Sequence, residues 1–401
     1  MILSFAEKLN ALCSQLISGP ELSQTIAAWL TAHTDAQREA GQVLHKWLAY
    51  IQEIDASDLD FGAPGANNQV WSRLYGIKSP IPDMEPLSLA ESTAIILSIL
   101  TPAQKEKLYY NLALDFSYEI WVGEKQLRFR GTVYYERSHL SVNFRRINDF
   151  IYTMEELGIS RPIAEKMNLR FEKTGLILIT GITGSGKSTT LDAIVDMNNR
   201  ENKGHIVIIG NPIEQVHPSK QCLIRHREVG VDVHSFDHGA IEALRQDPDI
   251  IVVGEMRDPA TISTVLEITD SGHKTFTTLH TSSAIDSIHR IIAEFPPEEQ
   301  DRVRNRLADV LSITMSQKLV PTVDRKLVMT KEILAVDASV KAAIRNKNIG
   351  EIYQMMVEGK RFGMRTLEQD LLELFKRGII TNTTAMSYAN SKKRMAQLLS
   401  S

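Results

Sequence analysis

The stretch GITGSGKS, residues 181–188, decides the fold of this chain. It fits the pattern Gly-x-x-x-x-Gly-Lys-Ser/Thr, in which glycines let successive backbone N–H groups turn inward toward phosphate oxygens. The apolar run GLILIT (175–180) precedes it, and the helical pattern STTLDAIVDMNN (188–199) follows it. This strand–loop–helix setting is the one the motif requires. The stretch therefore predicts a nucleoside triphosphate site in an α/β domain.

The loop residues are expected to hold ATP and a magnesium ion. Lys187 would reach the β- and γ-phosphates, and the Ser188 hydroxyl would supply an oxygen to Mg²⁺. The positive end of the following helix would add to the attraction for phosphate. The predicted ATP-binding residues are Thr183, Gly184, Ser185, Gly186, Lys187, Ser188 and Thr189.

A second signal is DPDIIVVGEMRD, residues 247–258. Ile250 to Val253 read as a buried strand that delivers Glu255 to its carboxyl end, where parallel sheets bind ligands. We expect Glu255 to bind Mg²⁺ or to orient the attacking water, so that Ser188 and Glu255 form the metal site. An exposed acidic residue at a strand end is the alternative.

His280 follows another predicted strand, HKTFTTL (273–279). At that position it would contact the γ-phosphate and report its presence. A hydrogen-bonded structural histidine is the alternative interpretation, and it stays open. Lys187, Glu255 and His280 are thus the predicted catalytic residues.

Length and composition limit the classes of protein to which these motifs can belong. A chain of 401 residues predicts two or three domains, and a net charge of −4 gives no broad field for nucleic acid. The two cysteines, Cys13 and Cys222, are too far apart for a C-x-x-C pair, which fits a reducing compartment. There is no apolar run of 18 residues and no secretion signal, so we expect a cytoplasmic protein.

The chain divides by pattern into an α/β protein with five parts. We predict a helical extension (1–55), an α+β amino-terminal domain (56–150) and a linker (151–165). Strand-like and helical segments then alternate through a doubly wound core (166–330), and a helical region (331–401) ends the chain.

The motifs GITGSGKS, NPIE, REVG, DPDIIVVGEMRD, TLHT and AIRN occur in an order that resembles the secretion ATPase superfamily. Within it, the chain is similar to the pilus retraction ATPases of twitching motility (PilT/PilU-like), from residue 56 to about 390. The resemblance implies a PAS-like amino-terminal domain, a RecA-like ATPase core and a homo-hexameric ring with ATP at subunit junctions. It also implies a peripheral position at the inner membrane, against the pilus platform protein there. The missing four-cysteine module favours the retraction branch over the extension branch.

Three arginines resemble the family's trans-acting arginines. Arg128 and Arg130 lie in RFRG (128–131), and Arg145 follows nearby. The resemblance implies that they reach nucleotide across a subunit boundary. Solvated arginines on a strand surface are the alternative at each position.

One departure from the family raises a question about hydrolysis. The family reads Glu-Asp-Pro-Ile-Glu where this chain has Gly210, Asn211, Pro212, Ile213 and Glu214, and the first glutamate is the presumed general base. Glu255 could compensate, and Glu214 is a weaker candidate because an extended chain would put it too far along.

Two hypotheses follow: an active motor, or a nucleotide-binding accessory subunit that works with a competent paralogue. A nucleic-acid translocase ranks third, and we expect no nucleic-acid partner.

Overall fold

The fold is described from a computed structural model, which covers residues 3–13, 19–74, 76–147 and 150–400. The chain forms two compact units, Met1–Asp149 and Phe150–Ser401.

The first unit is built from five helices and a six-stranded antiparallel sheet with the strand order β3-β2-β1-β6-β5-β4. The helices are α1 (Ala6–Cys13), α2 (Gly19–Ala32), α3 (Thr34–Glu53), α4 (Leu89–Ser98) and α5 (Pro102–Asn111). The strands are β1 (Asp58–Gly62), β2 (Trp71–Leu74), β3 (Ile77–Pro80), β4 (Ala113–Val122), β5 (Lys125–Glu136) and β6 (His139–Arg146).

Helix α4 explains why residues 1–55 are not a separate extension. It contacts α1, α2 and α3 as well as β1 and β6, and it is buried at eight of its ten positions. A helix covered by several neighbours needs no broad polar stripe. The sequence of α4, LAESTAIILS, is apolar at six of its ten positions, and Glu91, Ser92 and Thr93 are buried with them. Leu9, Ile26 and Leu44 share one core with Phe61 and Ile96, so the predicted boundary at residue 55 divides a single hydrophobic cluster.

The second unit contains a seven-stranded sheet, and helices surround it. Its strands are β7 (Gly175–Thr180), β8 (His205–Gly210), β9 (Leu223–Glu228), β10 (Ile250–Val253), β11 (Lys274–Leu279), β12 (Leu311–Pro321) and β13 (Leu327–Ala335). Its helices are α6 (Arg161–Met167), α7 (Lys187–Glu201), α8 (Phe236–Ala243), α9 (Pro259–Asp270), α10 (Ala284–Ala293), α11 (Pro297–Val310), α12 (Ala338–Arg345), α13 (Ile352–Glu358), α14 (Leu367–Lys376), α15 (Asn382–Tyr388) and α16 (Lys392–Ser400).

The order of the second sheet is β13-β12-β7-β11-β10-β8-β9. All strands are parallel except β13, which pairs antiparallel with β12. The sheet is therefore the predicted doubly wound core, and the carboxyl ends of β7, β11, β10 and β8 form one continuous edge. Loops that follow these four strands are brought together there.

Two predicted boundaries in the second unit fall within secondary-structure elements of the structure. The expected linker is partly a helix, and Met154, Ile159 and Ile163 belong to the core of the second unit. The fully buried Lys274 ties the chain just beyond it to the sheet, because its Nζ donates to the carbonyl oxygens of Lys166 (2.7 Å) and Glu172 (2.9 Å).

The helical carboxyl-terminal region also begins later than residue 331, since β13 runs to Ala335. An alternating strand and a short helix are hard to separate by periodicity at this length. Helices α14, α15 and α16 then pack around a small core of their own that includes Leu371, Ile380 and Met395. Across the described ranges, no helix is both long and apolar enough to span a bilayer.

Candidate ATP site

The phosphate loop lies between β7 and α7, as its sequence predicts. Gly184 and Gly186 have φ values of 77° and 88°, a left-handed conformation that side chains disfavour, so glycine is needed at both positions. Helix α7 begins at Lys187, whose Nζ donates to the carbonyl oxygens of Gly181 (2.9 Å) and Ile182 (3.1 Å). The ammonium group is therefore held at the mouth of the loop.

The remaining predicted loop residues differ in their exposure. Thr183, Gly184 and Ser188 are exposed, and Thr189 is half-buried. The Ser185 hydroxyl is buried and has no hydrogen-bond partner within the described part of the chain. Because a buried hydroxyl without a partner is costly, this atom fits a site that is completed by a polar ligand.

Two carboxylates, those of Glu255 and Glu214, affect the pKa of Lys187. Burial lowers the pKa of Lys187, and the negative charges of Glu255 and Glu214 act against this shift by favouring the charged form. Coulombic effects of this kind require the charges to lie close together. The loop lysine is thus accompanied by two acidic side chains.

These side chains come from neighbouring strands of the sheet. Glu255 follows β10, Glu214 follows β8, and His280 follows β11, which lies between β7 and β10. The parallel register places the carboxyl ends of these strands beside the phosphate loop. The structure therefore gathers Lys187, Glu255 and His280, the three predicted catalytic residues, at one edge.

Glu255 is well shielded and has two cationic or polar neighbours. Its side chain is 14% exposed, forms an ion pair with Arg257, and lies 3.6 Å from Nε2 of His280. Burial and the charge of Lys187 lower the pKa of His280, with Glu255 opposing the shift. His280 is therefore favoured in its neutral form at pH 7, which leaves one ring nitrogen able to accept a hydrogen bond.

The side chain of Ile213 lies beside Gly210. A Cβ atom on Gly210 would lie 2.7 Å from Cδ1 of Ile213, closer than real contacts allow. The backbone N–H of Ile213 donates to Oε2 of Glu228 (3.1 Å), which fixes the turn in this position. The missing glutamate is thus replaced by local apolar packing.

Glu214 is the functional candidate that sequence reasoning undervalued. An extended chain, at ~3.3 Å per residue, would place Glu214 about 13 Å from Gly210. Strand β8 ends at Gly210, however, and residues 211–217 form a loop that returns Glu214 toward Lys187. The prolines and turn-forming Asn211 after the strand were the signal for this bend.

Sequence reasoning also missed Gln317 of β12. Its side-chain amide donates to the carbonyl oxygen of Ser185 (2.8 Å), and its carbonyl oxygen accepts from the Thr190 hydroxyl (3.1 Å). The residue is buried and braces the phosphate loop from the neighbouring strand. The unusual run of polar residues in a buried strand, SITMSQ (312–317), is the signal that could have identified it.

The three arginine candidates lie in the sheet of the first unit. Arg130 and Arg145 are directly opposite each other on β5 and β6. Nε of Arg145 lies 3.0 Å from Oδ1 of Asp58, while its side chain remains 63% exposed. Arg128 is buried and forms an ion pair with Glu119 (2.5 Å), and Nη2 of Arg130 lies 3.9 Å from Asp115.

Comparison with known proteins matches residues 115–397 to the family described as "Type II/IV secretion system protein". That range is well over half of the chain. The chain belongs to this family. It is also 37% identical over 342 residues, 85% of this chain and 96% of the other, to the "Type IV pilus retractation ATPase PilT" of Pseudomonas aeruginosa.

Two further family members support the same assignment. The "Type IV pilus ATPase PilU" of Pseudomonas aeruginosa is 33% identical over 310 residues, 76% of this chain and 79% of that one. The solved structure titled "Crystal Structure of the Pilus Retraction Motor PilT and Bound ADP" has a TM-score of 0.78 and 34% identity, covering 87% of this chain and 98% of that chain. The resemblance deduced from the motifs is confirmed, and the chain is an ATPase of the type II/IV secretion family with a separate amino-terminal domain.

Proposed function

We propose that the chain is the subunit of a ring-shaped motor that hydrolyses ATP to drive pilus retraction and twitching motility. The observation that carries this proposal is the pair of carboxylates, Glu255 and Glu214, whose charges act on the pKa of the phosphate-loop lysine. Glu255 also lies 3.6 Å from Nε2 of His280 at the same edge of the sheet. Their presence supports hydrolysis even though position 210 is glycine. The similarity to a pilus retraction ATPase and to a pilus retraction motor supports retraction as the direction of movement.

Each polar group at the edge has a role in hydrolysis. Backbone N–H groups of residues 183–189 and the ammonium of Lys187 bind and orient the phosphates, and they neutralise charge as the γ-phosphoryl group departs. Glu214 orients the attacking water and accepts its proton. His280, neutral at pH 7, contacts the γ-phosphate and senses whether it is present.

The residues at the mouth of the loop fit a magnesium ion. The exposed Ser188 hydroxyl and the carboxylate of Glu255 are oxygen donors of the kind that Mg²⁺ prefers. When bound, the ion neutralises charge on the β- and γ-phosphates. Glu255 would therefore have three neighbours, namely Arg257, His280 and the magnesium ion.

Arg130 and Arg145 are proposed to act on the nucleotide of a neighbouring subunit. Like charges directly opposite each other on a sheet repel, and the acidic side chains beside them are Asp58, 3.0 Å from Arg145, and Asp115, 3.9 Å from Arg130. An anion would relieve the repulsion further, and Arg145 has the exposure to reach one. Arg128 supports the strand beside them through Glu119 and is the weakest of the three candidates.

The proposed assembly is a homo-hexamer with ATP and Mg²⁺ at the subunit junctions. Its proposed partner is the platform protein of the pilus machine, contacted from the cytoplasm at the inner membrane. A second, paralogous ATPase is a further proposed partner, since PilU-type and PilT-type relatives both match this chain. A net charge of −4 favours a protein partner over nucleic acid.

Steady-state ATP hydrolysis by the purified protein tests the proposal, with Lys187→Ala as the inactive reference. We expect turnover well above that of Lys187→Ala and dependence on added Mg²⁺. Turnover equal to that of Lys187→Ala would reject the motor.

The alternative is an accessory subunit that binds nucleotide without hydrolysing it. Gly210 and the segment KNIGE (347–351), which follows AIRN, favour this second candidate. It predicts that ATP binds with an affinity abolished by Lys187→Ala, while turnover appears only when a competent paralogue is added.

A further inference from the structure

The segment from His280 to Ser283 joins β11 to α10 and carries the proposed γ-phosphate sensor. Helix α10 holds it locally, since the hydroxyls of Thr281 and Ser287 lie 2.6 Å apart and the Ser282 hydroxyl donates to Asp286 (2.6 Å). A separate contact comes from 108 residues further along the chain, where the side-chain amide of Asn390 donates to the carbonyl oxygen of Ser282 (3.4 Å). The sensor segment is thus connected to the carboxyl-terminal helices.

Asn390 lies in the turn between α15 and α16, and Lys318 of β12 holds this turn in place. Nζ of Lys318 donates to Oδ1 of Asn390 (2.7 Å) and to the carbonyl oxygen of Tyr388 (2.9 Å). Since successive strand residues point to opposite faces, Lys318 contacts the turn while the preceding Gln317 contacts the phosphate loop. One strand therefore supports both.

Glu368 of α14 fixes the other end of the same turn. This fully buried carboxylate accepts from the backbone N–H of Ser391 (2.7 Å) and from the Tyr353 hydroxyl (3.1 Å). The guanidinium of Arg394 in α16 lies 3.5 Å from the centre of the Tyr353 ring. Movement of α16 would consequently reach the turn through several contacts at once.

We infer that the turn Tyr388–Ser391 positions the His280 segment, so that the carboxyl-terminal helices adjust the ATP site from outside it. Asn390 and Lys318 are positioning residues in this device and do not contact the nucleotide. The inference rests on the role of His280 in the proposed function. It gives a partner that binds α16 a direct route to the phosphate sensor.

The amide group of Asn390 suits this role because it offers a donor and an acceptor at once. Its oxygen accepts from Lys318 while its nitrogen donates to Ser282. A carboxylate at this position keeps the contact with Lys318 and repels the carbonyl oxygen of Ser282. Asn390→Asp therefore breaks one half of the connection and retains the other.

The test compares the wild-type protein with Asn390→Asp, alone and in a His280→Ala background. We expect Asn390→Asp to lower kcat by roughly fivefold while the affinity for ADP stays within about twofold, since the phosphate loop itself is unchanged. In the His280→Ala background the same change should have almost no further effect, because the sensor is already absent. Asn382→Asp, an exposed substitution of the same kind at the start of α15, is the control and should leave kcat unchanged.

Equal losses in the wild-type and His280→Ala backgrounds would overturn the inference, as would an unchanged kcat in Asn390→Asp. If the wild-type protein does not hydrolyse ATP, binding replaces kcat as the measurement. The affinities for a non-hydrolysable ATP analogue and for ADP are then measured in the same four proteins, and their ratio is compared. Asn390→Asp should then reduce that ratio several-fold only when His280 is present. If the protein does not hydrolyse ATP but the effect of Asn390→Asp still depends on His280, the motor function is rejected and the role of the turn is kept. If it hydrolyses ATP but the effects of the two substitutions are additive, the role of the turn is rejected and the motor function is kept.

Discussion

Cδ1 of Ile213 lies 2.7 Å from the place that a Cβ atom on Gly210 would occupy. Ile213 is 7% exposed, and its backbone N–H donates to Oε2 of Glu228. Restoring a glutamate at 210 would mean displacing this packing. The glycine at 210 and the packing of Ile213 beside it depend on each other.

Gly210→Glu is accordingly expected to destabilise the protein without increasing ATP turnover. Overpacking a filled site costs about 1–3 kcal/mol, and the new carboxylate would add its own cost of burial. Thermal unfolding and steady-state hydrolysis measure the two effects. Gly210→Glu combined with Ile213→Ala should recover part of the stability, since it removes the colliding atom. A rise in turnover in the single variant would show that the wild-type chain lacks its base.

Glu214→Gln is expected to lower kcat by about 10²–10³ while leaving ATP affinity nearly unchanged. The amide keeps the shape of the side chain and can hold a water, but it cannot accept the proton. Hydrolysis and nucleotide binding should both be measured, with the exposed Glu298→Gln as control. A kcat within threefold of the wild type would exclude Glu214 as the base and leave Glu255.

Mixing two inactive variants tests whether Arg145 acts between subunits. Lys187→Ala and Arg145→Ala are each expected to be nearly inactive alone. In a random ring, roughly a quarter of the junctions would combine an intact phosphate loop with an intact arginine, so activity should return after subunit exchange. Hydrolysis by the mixture measures this recovery. Arg145→Lys should restore little, because it loses the planar fork of donors.

No recovery in the mixture, with rings shown to exchange subunits, would place Arg145 outside the catalytic junction. Full activity of Arg145→Ala alone would make it a partner of Asp58 in folding only.

The pH dependence of the free energy of unfolding should show the contribution of Glu332. Burial raises its pKa to about 7 from 4.5, Glu368 and Asp286 add to the shift, and the N–H of Ala284 opposes it. Lys318 is the nearby cation. Because the folded state holds this proton more tightly, the contribution to stability is complete below about pH 4.5 and is lost as pH rises through 7.

Glu332→Gln should therefore flatten the fall in the free energy of unfolding between pH 4.5 and pH 7, a change on the order of 1–3 kcal/mol. Denaturant unfolding at several pH values measures it, with Glu298→Gln as reference. Parallel profiles for wild type and Glu332→Gln would contradict the assignment.

The sequence predicted those parts of the site that depend on local order along the chain. The phosphate loop, the strand that carries Glu255 and the strand that ends before His280 all lie where their patterns indicated. Glu214 could not be ranked, because its position depends on a bend after β8. The contact of Gln317 with the phosphate loop could not be predicted for another reason. It depends on the pairing of β12 with β7, which are more than 130 residues apart in the sequence.

The amino-terminal helices illustrate the same limit in the core. Their amphipathic pattern predicted helices correctly, but nothing in the pattern identified α4 as their partner. Long-range partners of this kind are decided by packing and not by periodicity.

The burial of α4 also constrains how this chain can change. Removing residues 1–53 would uncover the apolar face of α4 around Ile96, so a shortened gene would encode an aggregation-prone product unless that face became polar at the same time. Loss of the amino-terminal helices and polar substitutions on α4 would have to arise together, which single mutations seldom achieve. Deleting the amino-terminal helices is thus a change to the hydrophobic core of the first unit.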